Sequence, residues 1–129
     1  KFFQTYSIDE KGKEHVFMFA PEGWIVTDAS AINGPCDLFI EALEDSTLCA
    51  FNAESEIANA SPVALMKRIA TLQKRSILLM SATAIERYHD FLKTYPDIVQ
   101  RVPQKMIASY LGITPEALSK VKGESVKPK

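Results

Sequence analysis

Residues Val102 to Lys122, VPQKMIASYLGITPEALSKVK, constrain the fold of this chain more than any other stretch. Ile107, Leu111 and Leu118 are apolar, and Ala108 is a small residue that would face the same way. Gly112 divides the run in two, at a point where a turn through positive φ is easiest without a Cβ. Thr114 then stands where a second helix needs an N-cap, and Pro115 occupies its first helical position. Two short helices parted by glycine, the second opening on Thr-Pro-Glu, form the pattern of a helix-turn-helix. In such a unit the second helix lies in the DNA major groove while the first braces it on the backbone. An αα-hairpin that only completes a hydrophobic core would show much of the same pattern.

Charge distribution supports the first of these readings. The whole chain carries a net charge of −1, which provides no overall attraction to a polyanion. Yet from Lys93 onward the chain holds seven cations (Lys93, Arg101, Lys105, Lys120, Lys122, Lys127, Lys129) against Asp97, Glu116 and Glu124. Residues 21 to 56 carry acidic side chains alone. An acidic front and a basic rear suit a DNA-binding module joined to a part that does not touch DNA.

Ahead of this module the pattern is β. Phe3 to Ile8 and His15 to Phe19 flank the polar turn Asp9-Glu10-Lys11-Gly12-Lys13, predicting a hairpin. Pro21-Glu22-Gly23 ends it, and Trp24-Ile25-Val26 is a further short apolar run. A second strand pair is predicted from Leu38 to Leu43 and Thr47 to Phe51, around Glu44-Asp45-Ser46. Four or five strands are too few to close a barrel, so the chain is expected to be a fragment lacking its first strands.

From Asn52 the period changes to helical. Asn52 can cap a short helix, and Ser61-Pro62 should open a longer one running from Val63 to about Met80. Along it Leu65, Ile69, Leu72, Ser76 and Leu79 alternate spacings of four and three, the seam of a coiled coil, although a core-facing helix would look similar. Thr83-Ala84-Ile85-Glu86 is a capping box, and the helix it opens should stop before Pro96. Ser81 to Thr83 would be a hinge, Asp97 to Val102 a short linking helix, and the tail after Lys122 disordered with no β-wing. The expected class is α+β, divided as a partial β domain (1–60), a dimerisation helix with hinge (61–82) and a helix-turn-helix domain (83–129).

Some chemistry is argued against. Cys36 and Cys49 lie far apart without a CxxC spacing, and only two histidines are present, so neither a zinc site nor an iron–sulfur cluster is expected. His15, His89 and Cys36 show no nucleophile–base spacing, so the chain is not expected to be an enzyme. No run of 18 apolar residues exists to span a membrane, and a cytoplasmic location with reduced thiols is the expectation.

The string IERYHDFLKTYPDIVQRVPQKMIASYLGITPEALSKVK resembles the C-terminal half of a Crp/Fnr-family transcription regulator, of the variety common in Bacteroidetes. More weakly, YSIDEKGKEHVFMFAPEGWIVTD and IEALEDSTLCAFN resemble later strands of that family's cyclic-nucleotide-binding β-roll. The resemblance implies a partial β-roll, a long dimerisation helix and a C-terminal winged helix-turn-helix. It implies a homodimer on palindromic double-stranded DNA, with RNA polymerase as a further partner. Carried over by position, Thr114 caps the recognition helix near a phosphate, while Pro115, Glu116, Ser119, Lys120 and Lys122 face bases or the adjacent backbone. Gln104 and Lys105 would position the protein on phosphates. Family members often carry Arg where Pro115 stands, so the base preference should differ. Those that bind cyclic nucleotides grip the phosphate with an arginine. Here no arginine lies between Lys13 and Lys67, which argues against cyclic AMP and leaves any effector unassigned. The competing expectation is a ligand-binding or protein-interaction module whose helix-turn-helix no longer binds DNA.

Overall fold

A computed structural model describes residues 1–126 of the chain. The architecture is mixed α+β: one three-stranded antiparallel sheet and five α-helices. The predicted hairpin forms from β1 (Phe3–Ile8) and β2 (Glu14–Ala20), joined through Gly12 at φ +77°. Asp9 shapes that turn, its carboxylate accepting from the Lys11 and Lys13 amides and pairing with His15. The third strand, β3 (Phe39–Ala42), lies against the other edge of β1, so the sheet order is β2-β1-β3.

Here the structure corrects the predicted second strand pair. Residues 47 to 51 are not a strand, and Leu48 and Phe51 are exposed. The free edge of β1 satisfies the β3 ladder instead, from Phe3 opposite Ala42 to Tyr6 opposite Phe39. At its end the Leu43 amide donates to the Phe2 carbonyl and Glu44 pairs with Arg101, which leads the chain away before a turn can close. Trp24-Ile25-Val26 likewise forms no strand.

The helical signals act where they stand. Asn52 caps α1 (Ala53–Asn59) by accepting from the Glu54 and Ser55 amides. Helix α2 (Pro62–Ser81) follows with Pro62 in its first turn, although the Ser61 side chain makes no capping hydrogen bond. At α3 (Ala84–Thr94) both halves of the capping box are present: the Thr83 hydroxyl accepts from the Glu86 amide, and the Glu86 carboxylate accepts from the Thr83 amide at 2.7 Å. That bond holds the Glu86 carboxyl below its ordinary pKa. The linking segment shrinks to one 3-10 turn, Ile98–Gln100.

Helix α4 (Gln104–Leu111) ends on Gly112, whose φ of +68° lies in the left-handed region, and α5 (Pro115–Val126) begins after Thr114. The tail expectation is corrected in part: Gly123 to Val126 continue α5, and Ser125 meets His89 of α3 at 3.2 Å. Residues 127 to 129 of the expected disordered tail lie outside the described residues. Among the described residues no strand follows α5, and no helix is long and apolar enough to cross a membrane.

The core does not follow the three-part division of the sequence. A single buried cluster joins Phe2, Val16 and Phe19 of the hairpin region to Tyr88, Phe91, Tyr95, Ile107, Leu111, Leu118 and Val121 of the last third. Phe19 sits at its centre, with ring centroids 5.7 to 6.2 Å from Phe91, Tyr95 and Tyr110. Edge-on and tilted aromatic pairs at these separations each add about 0.5–1.5 kcal/mol beyond area burial. Burial raises the phenol pKa of Tyr95 and of Tyr110, so both rings stay neutral in the core. Ser109 of α4 makes the seam polar as well as apolar, accepting from the Val16 amide at 2.9 Å and donating to the Glu14 carbonyl.

Candidate nucleic-acid interface

The last two helices bury one face and leave the other open. Leu118 and Val121 anchor α5 beneath Ile107, Ala108 and Leu111 of α4. A helix with 3.6 residues per turn then turns Pro115, Glu116, Ser119 and Lys120 outward, and all four are exposed. Thr114, also exposed, accepts the Ala117 amide on its Oγ1 at 3.1 Å, and its carbonyl accepts the Leu118 amide at 3.0 Å. This is the capping role assigned to it from the sequence.

Gln104 and Lys105 stand exposed at the opposite helix start, in the first turn of α4. The two helices meet there through the half-buried Lys122, whose ammonium donates to Gln104 Oε1 at 3.0 Å. An amide oxygen takes no charge from the lysine, so the cation is positioned without being neutralised. Lys105, Lys120 and Lys122 stand against two carboxylates on the α4–α5 pair, Glu116 at the start of α5 and Glu124 near its end. Glu116 lies in the first turn of α5, where a negative charge also complements the helix dipole.

Turn geometry holds the pair rigid. The Ile113 amide donates to the Ala108 carbonyl at 3.0 Å and the Gly112 amide to Ser109 at 3.1 Å, closing α4 before α5 begins. A third, longer-range tie was not legible from sequence. Arg87, in the first turn of α3, donates to the Leu79 carbonyl at 2.7 Å, the Ala82 carbonyl at 3.2 Å and the Leu111 carbonyl at 3.1 Å. One guanidinium thus serves the carbonyl ends of both α2 and α4, where the helix dipoles favour a cation. Its only sequence signal was an arginine four residues past a cap.

The five seam residues on α2 all stand exposed: Leu65, Ile69, Leu72, Ser76 and Leu79. Relative exposure is 54% at Ile69 but 37% at both Leu72 and Leu79. The lower values have a cause, since Leu79 lies beside Gly112 and Leu72 lines a cleft against the body of the protein. Ser76 spends its hydroxyl on the Leu72 carbonyl within the helix. Val63, Met66, Ile77 and Met80 add further exposed apolar surface, and no residue of α2 is buried.

Helix α2 instead holds the body through arginines. Arg75 donates to the Phe17 carbonyl and the Tyr110 carbonyl, and its guanidinium lies 4.0 Å from the Tyr110 ring centroid. In the segment between β2 and β3, Trp24 lies 5.7 Å from Tyr95, while Cys36 is exposed. Asp28 is spent on its own loop, accepting from Ser30 and from the Leu38 amide. Among the described residues no cluster of three His, Cys, Asp or Glu side chains could hold a metal ion. No protein-family profile matches the chain, and no curated protein does either.

Proposed function

We propose that this chain is a sequence-specific DNA-binding transcription regulator of the Crp/Fnr type. It would bind palindromic double-stranded DNA as a homodimer, under the control of a sensor part built around the β-sheet, a partial β-roll. The observation that carries this reading is the outward face of α5. Pro115, Glu116, Ser119 and Lys120 are exposed on a helix whose other side is locked into the core. Its capped start and the Lys122–Gln104 contact supply a rigid presentation of the kind base reading requires.

In this reading Glu116 accepts from a cytosine amino group and Lys120 reaches a base edge or phosphate. Gln104, Lys105 and Lys122 set the register on the backbone. The exposed stripe Leu65, Ile69, Leu72, Ser76 and Leu79 would be covered by the same stripe of a second copy. Two recognition helices about 34 Å apart would then meet successive major grooves on one side of the duplex. No cofactor enters this account, and cyclic AMP is not part of it.

A second reading, an interaction module that has lost DNA binding, draws on Glu116, which places a carboxylate where a phosphate would approach the helix start. Selection from a random duplex pool followed by a salt titration separates the two. Enrichment of a palindrome with half-sites one helical turn apart, weakening steeply with salt, supports the regulator. Failure to enrich any sequence at low salt, with folded dimeric protein, supports the interaction module. Ile69→Glu should give a monomer by sedimentation; an unchanged dimer would move the interface off α2.

A further inference from the structure

A cleft of about 150 Å³ opens between α2, β2 and α3, apart from the outward face of α5. Its walls are of two kinds. Trp24 supplies the exposed aromatic surface, its ring 5.7 Å from that of the buried Tyr95 and tilted by 37°, while the Tyr110 ring behind it is covered by Arg75. The α2 wall supplies Arg68, Lys74 and Arg75, against a single carboxylate, Asp90, from α3. Three cations in one cleft are notable in a chain whose net charge is −1.

The three are not equally committed. Arg75 is spent on two backbone carbonyls and two aromatic rings. Arg68 makes its hydrogen bond to the thioether of Met18 at 3.6 Å, one of the weakest acceptors a side chain offers. Among the described residues neither Arg68 nor Lys74 belongs to an ion pair. A planar guanidinium and an ammonium lining the same cleft as the Trp24 ring match a planar ligand bearing a carboxylate. The volume limits its size, being about half the roughly 300 Å³ at which pockets for drug-sized ligands begin.

We propose that this cleft binds a small aromatic carboxylate, its ring against Trp24 and its carboxylate drawn to Arg68 and Lys74. Asp90 on the opposite wall repels the carboxylate and so sets its direction toward α2. A ligand held there touches α2 on one side and the body on the other, and so fixes the long helix relative to the sheet. This inference stands apart from DNA binding and needs no second copy of the chain.

The chain's single tryptophan, Trp24, provides the readout. Benzoate is titrated into the full chain while Trp24 fluorescence is followed, with benzamide as the neutral ring and acetate as the anion without a ring. Saturable quenching by benzoate is expected, at least tenfold tighter than by either control. Arg68→Gln and Lys74→Gln, both exposed and so compatible with folding, should each weaken benzoate tenfold or more while leaving benzamide unchanged. Circular dichroism melts establish that each variant is folded. No saturable change with benzoate, equal response to benzamide or acetate, or unaltered benzoate affinity in both folded variants would each overturn the site.

Discussion

Replacing Arg87 tests whether one side chain joins the two helical ends it touches. Arg87→Met keeps most of the aliphatic stem but deletes three charge-assisted hydrogen bonds, to the carbonyls of Leu79, Ala82 and Leu111. Hydrogen bonds to a charged group contribute about 1.5–3 kcal/mol each, which would total roughly 4.5–9 kcal/mol for fully buried partners. The site is half-buried, however, and the Leu79 carbonyl lies where water can replace the guanidinium. Discounting for rehydration leaves an expected loss of about 2–3 kcal/mol, a large share of a typical domain stability of about 5–15 kcal/mol. Urea unfolding followed by far-UV circular dichroism measures it directly. Arg87→Lys retains the charge but not the planar fork, so it should recover less than half of the loss. Amides near the end of α2 should exchange faster in Arg87→Met, because its last carbonyls lose their tie to the body. A loss below about 0.5 kcal/mol, or a lysine variant as stable as the parent, would refute the clamp.

Gly112→Ala should cost about 1 kcal/mol or more, read by the same unfolding experiment. The cause is the backbone at φ +68°, since an added Cβ would meet nothing nearer than 3.6 Å. Glu86 gives a pH signature: its carboxyl pKa is lowered on folding by the Thr83 amide and hydroxyl. Its contribution is therefore complete above the unfolded-state pKa and is lost as pH falls through the folded one. Glu86→Gln should flatten that part of the acid stability profile, measured by urea midpoints across the carboxylate range, and an unchanged profile would deny the capping box its charge. Under the regulator reading, Lys120→Gln should weaken binding to the selected duplex and, if it contacts phosphate, lower the salt slope by about one. An unchanged affinity and slope would remove Lys120 from the interface.

Much of the chain was legible because its signals are local. Asn52, Thr83, Gly112 and Thr114 act within one turn of themselves, on backbone groups whose position follows from the helix alone. The hairpin from Phe3 to Ala20 was equally plain, since Gly12 and Asp9 build its turn from neighbouring residues. The outward face of α5 followed from the helical period once Leu118 was assigned inward. Strand pairing beyond the hairpin was not local, and there the prediction failed. Whether Phe39 to Ala42 pairs with residues 47 to 51 or with the edge of β1 depends on which edge is free in space.

Sequence by itself therefore determined the first hairpin and where the helices begin, because capping, turn formation and periodicity are settled within a few residues. Only the tertiary structure decided that the hairpin and the last three helices share one core around Phe19, since apolar patterning marks an inward face without saying what covers it. The same holds for Arg75 and Arg87, which look like ordinary solvated cations in the chain. Their work depends on carbonyls brought to them from 5 to 58 residues away. A long flexible donor takes its meaning from the acceptors that folding places within its reach.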